Sequence, residues 1–499
     1  MRKKTVGIIA VTALAVLALT GCKNEEPALL TYSWDEAVVY EAESGTLLGN
    51  AVTDSSRSGY QGDGYVRGLA EDADGVSVEI TVPETGFYDF KFRIAGETGD
   101  YKENYVLCDD MSVGTISVES DMFQDAVVSR VYLEAGTHTV TVQKYWGWIL
   151  VDCLLVKPSD DLNPAIYEIT APLTNENATE NAQRLYSYLC DMYGEKILSG
   201  QYCDDGMYGL ENAAIWKVTG GDYPAVLGLD FIEYTPSRVA NGSVGRATDQ
   251  AIEYWENGGI VTFCWHWNAP EKYLTGQWYS GFYTEHTNID LAKIMNGEDP
   301  EGYALLMEDI DAIAEQLLIL QDAGVPVLWR PLHEASGGWF WWGASGPEAY
   351  KELYILLYEK LTYEYGLNNL IWIWNGQDGD WYPGDAYVDI IGEDLYPGER
   401  VYTPQTNVFM EALTYSEENK MIVMSENGCL FDPALAQRDG AMWGFFCTWQ
   451  GEFVLASEAM NILSEQYTEE YMVRQVYADE RVITRSELPD ITTYPVRSN

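Results

Sequence analysis

In the C-terminal part of the chain, short apolar runs alternate with longer stretches in which apolar residues recur every three or four positions. The short runs have the length of buried strands, and the periodic stretches have the period of amphipathic helices. One periodic stretch, 303–323, ends at Gly324, and another, 348–365, lies between Pro347 and Gly366. We predict eight strands, at 196–201, 225–231, 259–267, 325–331, 369–375, 388–396, 421–426 and 444–449. Eight strand–helix repeats are typical of a (β/α)8 TIM barrel, an α/β fold.

The preceding part of the chain lacks helical periodicity. Runs at 76–82, 88–94, 127–133, 137–142 and 149–156 alternate apolar and polar residues and are separated by Gly, Asp and Asn. Several short strands at this spacing are typical of a β-sandwich. We therefore predict a polar tether at 23–36, an all-β sandwich at 37–157, a polar linker at 158–180, the barrel at 181–470 and a C-terminal helix and tail at 471–499.

The first 22 residues have the pattern of a bacterial export signal. Basic residues at 2–4 precede an apolar stretch at 6–19 that is too short for a stable membrane span. The segment ends in Leu-Thr-Gly-Cys at Cys22, which resembles the lipobox of bacterial lipoproteins, where the cysteine is acylated. We expect a protein that is lipid-anchored outside the cytoplasm, to the bacterial cell membrane or the outer membrane. A secretory signal with an incidental cysteine is the alternative.

Composition narrows the class of ligand. The chain has 78 acidic and 29 basic residues and a net charge of −49, which would repel nucleic acid and anionic polysaccharides. Its 17 tryptophans and 36 tyrosines suit surfaces that bind carbohydrate, although large cores also use them. Seven cysteines remain if Cys22 is acylated, and none lies in a CxxC cluster, so we expect buried free thiols rather than a zinc site. A neutral glycan fits this composition best.

Side chains with catalytic chemistry follow two of the predicted strands. The fourth strand ends in Arg330, His333 and Glu334, and the seventh ends in Glu426. These two strand ends face each other across a TIM barrel, and two facing carboxyl groups can flank one glycosidic bond. Aromatic residues follow at 339–342, and we expect this segment to form a wall against the substrate. The alternative is a chance ion pair beside a core tryptophan cluster, but such clusters rarely include Arg, His and Glu together.

These motifs resemble glycoside hydrolase family 26. The matching segments are WHW at 265–267, WRPLHEASGGWFWWG at 329–343, GEDLYPG at 392–398 and SENG at 425–428. The resemblance implies a retaining hydrolase with Glu334 as acid/base and Glu426 as nucleophile, and no cofactor for catalysis. It also implies substrate-site positions at His266, Arg330, His333, Trp339, Asp394, Tyr396 and Trp449.

The N-terminal sandwich resembles carbohydrate-binding modules of family 35. The matching segments are YEAE at 40–43, GYVRG at 64–68 and WGWILVD at 146–152. The resemblance implies a jelly-roll fold with a structural Ca²⁺ held by Glu41, Glu43 and Asp152. It also implies a sugar-binding platform at Trp146 and Trp148, for which packing under a loop is the alternative.

The leading prediction is an endo-β-1,4-mannanase that cleaves neutral mannan, glucomannan or galactomannan by double displacement. The family that these motifs resemble also contains lichenases and β-1,3-xylanases, and release of mannobiose by an exo-acting enzyme is a further alternative. The contrasting class is a non-catalytic surface glycan-binding lipoprotein. Such a binder would have no need of two facing carboxyl groups. We expect a monomer.

Overall fold

The computed structural model describes residues 29–457 and 459–497. The predicted export segment 1–22, with Cys22, and the first part of the tether lie outside the described residues. Within the described part, no helix is long and apolar enough to cross a membrane.

The N-terminal domain is an all-β sandwich, as the alternating runs predict. Its strands are β1 (Val38–Glu41), β2 (Thr46–Leu48), β3 (Val52–Asp54), β4 (Tyr65–Arg67), β5 (Gly75–Val82), β6 (Gly86–Gly96), β7 (Lys102–Cys108), β8 (Met111–Val118), β9 (Gln124–Leu133), β10 (Gly136–Lys144) and β11 (Ile149–Pro158). One sheet has the order β3-β4-β11-β6-β9, with β1 also paired to β11, and the other has the order β2-β5-β10-β7-β8. Neighbouring strands are antiparallel in both sheets.

The two sheets enclose an apolar core. Buried and more exposed side chains alternate along β5 and through most of β6, as expected where one face of each sheet packs on the other. Phe90, Ile94 and Val106 are completely buried in this core. The connection between β10 and β11 carries Trp146 and Trp148, which remain exposed.

The C-terminal domain is a closed barrel of eight parallel strands in chain order, which confirms the predicted TIM barrel. A short strand, β12 (Ile197–Leu198), precedes it. The barrel strands are β13 (Gly200–Tyr202), β14 (Val226–Asp230), β15 (Ile260–Cys264), β16 (Val327–Arg330), β17 (Leu370–Trp374), β18 (Ile390–Leu395), β19 (Met421–Asn427) and β20 (Phe446–Thr448).

The first helix of this domain precedes the barrel strands, and the others lie between or after them. The helices are α1 (Glu180–Met192), α2 (Leu210–Thr219), α3 (Pro236–Val239), α4 (Ala247–Glu256), α5 (Leu291–Met295), α6 (Pro300–Asp322), α7 (Pro347–Glu359), α8 (Thr406–Ala412), α9 (Pro433–Asp439) and α10 (Glu470–Ala478). The longest, α6, starts with a proline in its first turn, and the Asp299 side chain accepts from Gly302 N at 2.9 Å. Gly324 follows its end with φ +73°, a conformation that favours glycine.

The predicted C-terminal helix and tail at 471–499 begins with α10, and this part of the chain packs back onto the barrel domain. The last strand, β21 (Val482–Ile483), pairs in parallel with β12. The prediction also merged β12 and β13 into one strand at 196–201. The two strands are distinct because the pairing partner changes at Ser199: its N–H donates to Ile483 O at 3.0 Å, and its carbonyl accepts from Val226 N at 2.9 Å.

The sandwich lies directly against the barrel. Thr403 Oγ1, in the segment that follows β18, donates to Ser112 O on β8 at 3.0 Å. Arg130 Nε on β9 donates to Asp439 O on α9 at 3.2 Å. The sandwich therefore adjoins the segment between β18 and α8, which is also the segment that carries Tyr396.

Candidate active site

Glu334 and Glu426 meet at the C-terminal ends of opposite barrel strands. Glu426 lies in β19, and Glu334 follows β16 after a short connection. Glu334, Asp394 and Glu426 each place a carboxylate oxygen within 4.8 Å of the other two. The structure thus brings together the two glutamates that the sequence predicts, with Asp394 as a third carboxyl group in the same pocket.

Arg330 supplies the positive charge of this pocket. Its side chain is completely buried, and Nη1 donates to Asp394 Oδ2 at 2.6 Å and to Asn375 Oδ1 at 3.1 Å. The other terminal nitrogen, Nη2, donates to Tyr202 Oη at 3.0 Å and also bonds Glu426. A buried guanidinium requires partners of this kind. The three carboxyl groups could by composition hold a cation, but Arg330 already bonds two of them.

The Glu426 carboxylate receives hydrogen bonds at both oxygens. Tyr396 Oη donates to Oε2 at 2.7 Å, and Arg330 donates to Oε1. Asp394 is held in a similar way, because Ser425 Oγ donates to its Oδ1 at 2.7 Å. Burial raises the pKa of Asp394, and the charge of Glu426 raises it further, although Arg330 lowers it.

Glu334 has the opposite environment. Burial raises its pKa well above the ordinary value, and the charges of Asp394 and Glu426 raise it further. Trp339 Nε1 donates to Glu334 Oε2 at 2.8 Å, and Glu334 N donates to Asn375 O at 2.8 Å. The backbone of Glu334 is in the left-handed region, with φ +52°, which a non-glycine residue adopts rarely and mainly at functional sites. One carboxyl group therefore favours its protonated form beside a carboxylate that receives two strong donors.

Two of the four histidines meet beside these carboxyl groups. His266 Nε2 and His333 Nε2 are 3.1 Å apart, and His266 Nδ1 lies 2.6 Å from Asp230 Oδ2. Burial, His266 and Arg330 together lower the pKa of His333 well below its usual value. Burial alone would lower the pKa of His266 too, but Asp230 outweighs it and the pKa is raised.

Aromatic side chains border the pocket. Trp449 packs on Tyr202 with 4.7 Å between ring centres and lies 5.7 Å from His266. Trp339 is 42% exposed and Tyr396 is 39% exposed, so each presents ring surface to solvent at the pocket.

The expectation that the whole segment 339–342 forms a wall against the substrate is wrong for its last three residues. Phe340, Trp341 and Trp342 are buried. Their polar atoms are used inside the protein: Trp341 Nε1 donates to Trp267 O at 2.6 Å, and Trp342 Nε1 donates to His333 O at 2.8 Å. Of this segment only Trp339 is exposed to a ligand, while the rings of Phe340 and Trp342 pack against His333.

In the sandwich, Glu41, Glu43 and Asp152 lie together. Glu41 and Asp152 place carboxylate oxygens within 4.8 Å of each other. Burial raises the pKa of Glu41, and the charge of nearby Glu43 raises it further. One oxygen of each carboxylate is buried without a hydrogen-bond donor: Glu41 Oε2, Glu43 Oε2 and Asp152 Oδ1. Burial raises the pKa of Asp152 to about 6, with a further contribution from the two glutamates. Three orphaned carboxylate oxygens at one place fit the ligand chemistry of Ca²⁺.

Trp146 and Trp148 lie on the loop between β10 and β11. They are 40% and 49% exposed, unlike the core residues of the sandwich. Tyr101 packs against Trp146 with 5.4 Å between ring centres and is itself 43% exposed. The exposed rings form an aromatic surface next to solvent, so the alternative of packing under a loop does not describe them.

Two family models match the chain. The carbohydrate binding module (family 35) matches residues 38–159, and glycosyl hydrolase family 26 matches residues 174–479. The chain belongs to glycosyl hydrolase family 26. A mannan endo-1,4-beta-mannosidase of Thermothelomyces thermophilus is 40% identical over 94% of this chain and 96% of its own length. Mannan endo-1,4-beta-mannosidase B of Piromyces sp is 34% identical over 92% of this chain and 79% of its own length.

Solved structures are similar to this family 26 protein over both domains. The crystal structure of the Podospora anserina GH26-CBM35 β-(1,4)-mannanase is 38% identical and has a TM-score of 0.63, covering 92% of this chain and 100% of that one. A ruminal GH26 endo-β-1,4-mannanase is 30% identical with a TM-score of 0.64, covering 92% of this chain and 99% of that one. The order of a β-sandwich followed by a TIM barrel agrees with these structures.

The family 26 site contains residues that the sequence analysis did not select. Each lies at or near the C-terminal end of a barrel strand and bonds a predicted residue: Tyr202 bonds Arg330, Asp230 bonds His266, Asn375 bonds Arg330 and Glu334, and Ser425 bonds Asp394. Their position at strand ends is the sequence signal that marks all four. Their partners, however, depend on which face of the strand each side chain takes.

A further pair lies at the rim of the family 26 pocket. Gln450, next to Trp449, donates through Nε2 to Asp204 Oδ2 at 2.7 Å and accepts from Asp204 N at 3.2 Å. Burial raises the pKa of Asp204 to about 6, and the charge of nearby Asp230 raises it as well. Asp204 and Gln450 thus form a hydrogen-bonded pair next to Trp449 in the chain.

Proposed function

We propose that the chain is an endo-β-1,4-mannanase that hydrolyses its substrate with retention of anomeric configuration. The observation that carries the mechanism is the distance between the carboxyl groups, since oxygens of Glu334 and Glu426 lie within 4.8 Å of each other. Retaining glycosidases hold the two groups about 5–5.5 Å apart, whereas inverting enzymes separate them by about 6.5–9.5 Å to admit a water molecule.

The first step forms a covalent intermediate. Glu334 donates its proton to the glycosidic oxygen as the bond to the anomeric carbon breaks, and Glu426 bonds to that carbon. The leaving sugar departs with a free hydroxyl group. A glycosyl ester remains on Glu426, and Glu334 is now a carboxylate.

The second step releases the sugar. Glu334 takes a proton from a water molecule, whose oxygen displaces Glu426 from the anomeric carbon. Glu334 is then protonated and Glu426 is a carboxylate, as at the start. Because each displacement inverts the anomeric carbon, the product keeps the β configuration of the substrate.

The neighbouring residues support these roles. Tyr396 and Arg330 donate to Glu426 and stabilise its charged form before attack and after release. The exposed ring of Trp339 lies beside Glu334 and can stack on the sugar next to the cleaved bond. Trp449 provides a second ring at the pocket, and the partly exposed His266 is the proposed polar partner of a sugar hydroxyl group. The buried Asp394 and His333 position Arg330 and His266 instead.

Two further observations favour neutral β-mannan as the substrate. The net charge of −49 opposes an acidic polysaccharide. Relatives named as mannan endo-1,4-beta-mannosidases are 40% and 34% identical over 94% and 92% of this chain. We therefore place mannan, glucomannan and galactomannan ahead of mixed-linkage glucan and β-1,3-xylan.

A product profile tests the substrate and the mode of action. The protein is incubated with linear mannan, glucomannan, lichenan and β-1,3-xylan, and the products are separated by length over time. We expect oligosaccharides of several lengths from the two mannans at early times. Mannobiose as the only early product would indicate exo action, and cleavage of lichenan or xylan alone would contradict the substrate. No release from any of the four would favour a glycan-binding protein.

We also propose that the sandwich holds a structural Ca²⁺ and binds the same glycan. Glu41, Glu43 and Asp152 would provide the carboxylate ligands, and the ion would neutralise three clustered negative charges. The exposed Trp146 and Trp148 rings would stack on sugar units. Mannan affinity is measured on the full chain, with Glu426→Ala present to prevent hydrolysis. We expect W146A and W148A to lose affinity. Unchanged affinity in both variants would mean that the binding surface lies elsewhere.

For localisation, we propose that Cys22 is acylated and anchors a monomer outside the cytoplasm, on a bacterial cell membrane or outer membrane. This proposal rests on the lipobox-like end of the segment 1–22. We expect extraction of the wild-type protein from membranes to require detergent. We expect the Cys22→Ala variant to appear in the aqueous fraction. Equal partitioning of both proteins would leave a secretory signal as the better interpretation.

A further inference from the structure

A chain of hydrogen bonds runs from Asp230 through His266 to His333. Asp230 ends β14, His266 follows β15 and His333 follows β16, so the three side chains come from adjacent barrel strands. The distances are 2.6 Å from Asp230 Oδ2 to His266 Nδ1 and 3.1 Å from His266 Nε2 to His333 Nε2. His333 directly precedes Glu334, so the chain of bonds ends next to the acid/base residue.

Backbone hydrogen bonds orient the Asp230 carboxylate. Its Oδ1 accepts from Ile232 N at 2.8 Å and from His266 N at 3.1 Å. Oδ2 is therefore directed to His266 Nδ1, and the same carboxylate holds both the backbone and the ring of His266. This arrangement requires a proton on His266 Nδ1, because a carboxylate can only accept.

The proton between the two histidines can lie on either ring, and the surrounding charges decide which. The charged and titratable groups around His266 are Asp204, Asp230, Arg330 and Glu426, together with the Cys264 thiol and His333. The acidic groups outnumber the single guanidinium, so positive charge on His266 is favoured. Consistent with this, Asp230 raises the pKa of His266 against the effect of burial, while burial, His266 and Arg330 lower the pKa of His333.

We propose that Asp230 is a positioning residue that holds His266 as an imidazolium, which donates to His333 Nε2 and so fixes the neutral His333 ring as its Nδ1–H tautomer. This inference rests on the proposed function only for its effect on the reaction. The tautomer of an imidazole is set by the bond at its other nitrogen. The backbone is held as well, since Trp342 Nε1 donates to His333 O at 2.8 Å. The backbone carbonyl and Nε2 of His333 are thus both held, while its Nδ1 is buried without a hydrogen-bond partner.

Imidazole ¹⁵N chemical shifts test the protonation states directly. The chain has four histidines, so single His138→Gln, His286→Gln and His266→Gln variants assign the signals. At neutral pH we expect both nitrogens of His266 to have imidazolium shifts, and His333 to have a protonated Nδ1 and an unprotonated Nε2. In Asp230→Asn we expect His266 to become neutral. A neutral His266 in the wild type, or a charged His266 in Asp230→Asn, would overturn the proposal.

Kinetics on β-mannan test the effect on the reaction. We expect Asp230→Asn to lower kcat/KM by about 10–100-fold, the range for removing a carboxylate that orients a metal-bound histidine, and Asp230→Glu to recover part of the loss. Asp309→Asn is the matched control, because Asp309 is also a buried carboxylate that accepts from a ring nitrogen, Trp267 Nε1, at 2.7 Å, but lies on α6. Its kcat/KM should stay close to that of the wild type.

The two tests separate the possible failures. Wild-type kcat/KM in Asp230→Asn, with the predicted ¹⁵N shifts, would overturn the positioning role while the proposed hydrolysis stood. Equal losses in Asp230→Asn and Asp309→Asn would indicate a general packing effect and overturn the role as well. Absence of hydrolysis by the wild type would contradict the proposed function, and the ¹⁵N shifts would still decide whether the hydrogen-bonded chain has the assigned protons.

Discussion

Glu334 and Glu426 are the same residue type with opposite surroundings. Glu426 receives hydrogen bonds from Arg330 and Tyr396, while Glu334 is desolvated near two other carboxyl groups. A carboxylate that is to attack must stay charged, and an acid must keep its proton at neutral pH. The roles of the two residues therefore follow from their neighbours. The resemblance of the motifs to family 26 implies the same two roles.

Substitution of Glu334 should separate acid catalysis from attack. In Glu334→Ala we expect kcat on mannan to fall by about 10²–10⁴-fold, because the glycosidic oxygen departs without a proton. An aryl β-mannobioside with an acidic phenol leaving group needs no such proton, so its first step should be much less affected. Added azide should restore turnover by attacking the glycosyl ester, and a β-glycosyl azide should appear. Equal losses on both substrates, without azide rescue, would contradict the role of Glu334.

The pH dependence of hydrolysis should report the raised pKa of Glu334. The reaction requires this group protonated, so kcat/KM on mannan should fall as the pH rises through the pKa of Glu334 in the free enzyme. The negative charge of Asp394 contributes to that raised value. In Asp394→Asn we therefore expect the alkaline limb of the profile to move to lower pH, whatever the absolute rate. An unchanged or higher midpoint would show that another group controls this limb.

At the scale of elements, apolar patterning located the long strands and most of the barrel. Each of the eight predicted barrel segments overlaps a strand, because a buried parallel strand is apolar along its whole length. The sandwich strands β1 to β4, β7 and β8 were not predicted individually. In β7 the apolar alternation is interrupted by polar residues such as Asn104, which is buried because its side chain accepts from Tyr145 N and Gly147 N, both at 3.0 Å.

Candidate site residues were predictable where a motif placed them at a strand end. The burial of Phe340, Trp341 and Trp342 was not, because a tryptophan in a core and one at a sugar site look alike in sequence. The difference depends on where the indole N–H finds an acceptor, and the backbone carbonyls of Trp267 and His333 provide two of these acceptors. Those contacts join residues from different strands and cannot be derived from local spacing.

The edge of the sandwich that contains Glu41, Glu43 and Asp152 should respond to calcium. Burial raises the pKa of Asp152 to about 6, so the metal-free fold loses stability as the pH rises from the unfolded pKa to about 6, and the full cost is present above that pH. Bound Ca²⁺ would offset the cost. We expect added Ca²⁺ to raise the Tm of the full chain, more at pH 7.5 than at pH 5.

The control for this experiment is a variant with an exposed carboxylate removed. The double variant Glu41→Gln and Glu43→Gln should lose the calcium response, while Glu79→Gln, on the exposed face of β5, should retain it. The transition is followed by scanning calorimetry with chelator and with Ca²⁺. The same Tm in both conditions for the wild type would contradict the proposed metal site.

At the scale of the whole molecule, the sandwich and the barrel are in direct contact. Besides the bonds from Thr403 and Arg130, the Arg438 guanidinium lies 4.3 Å from the ring centre of Tyr132. The sequence predicted two domains joined by a polar linker, but it contained no signal for this contact. Interfaces between domains combine single residues from distant segments, so periodicity within one segment does not show them.

The measurement that tests the central claim most directly is the configuration of the first product. Hydrolysis of mannohexaose is followed by ¹H NMR from the earliest times, before mutarotation equilibrates the new reducing end. Because Glu334 and Glu426 have oxygens within 4.8 Å of each other, we predict that the β anomer appears first and the α anomer only later, by mutarotation. An α anomer that appears first would mean that water attacks the anomeric carbon directly, and it would contradict the assignment of Glu426 as nucleophile.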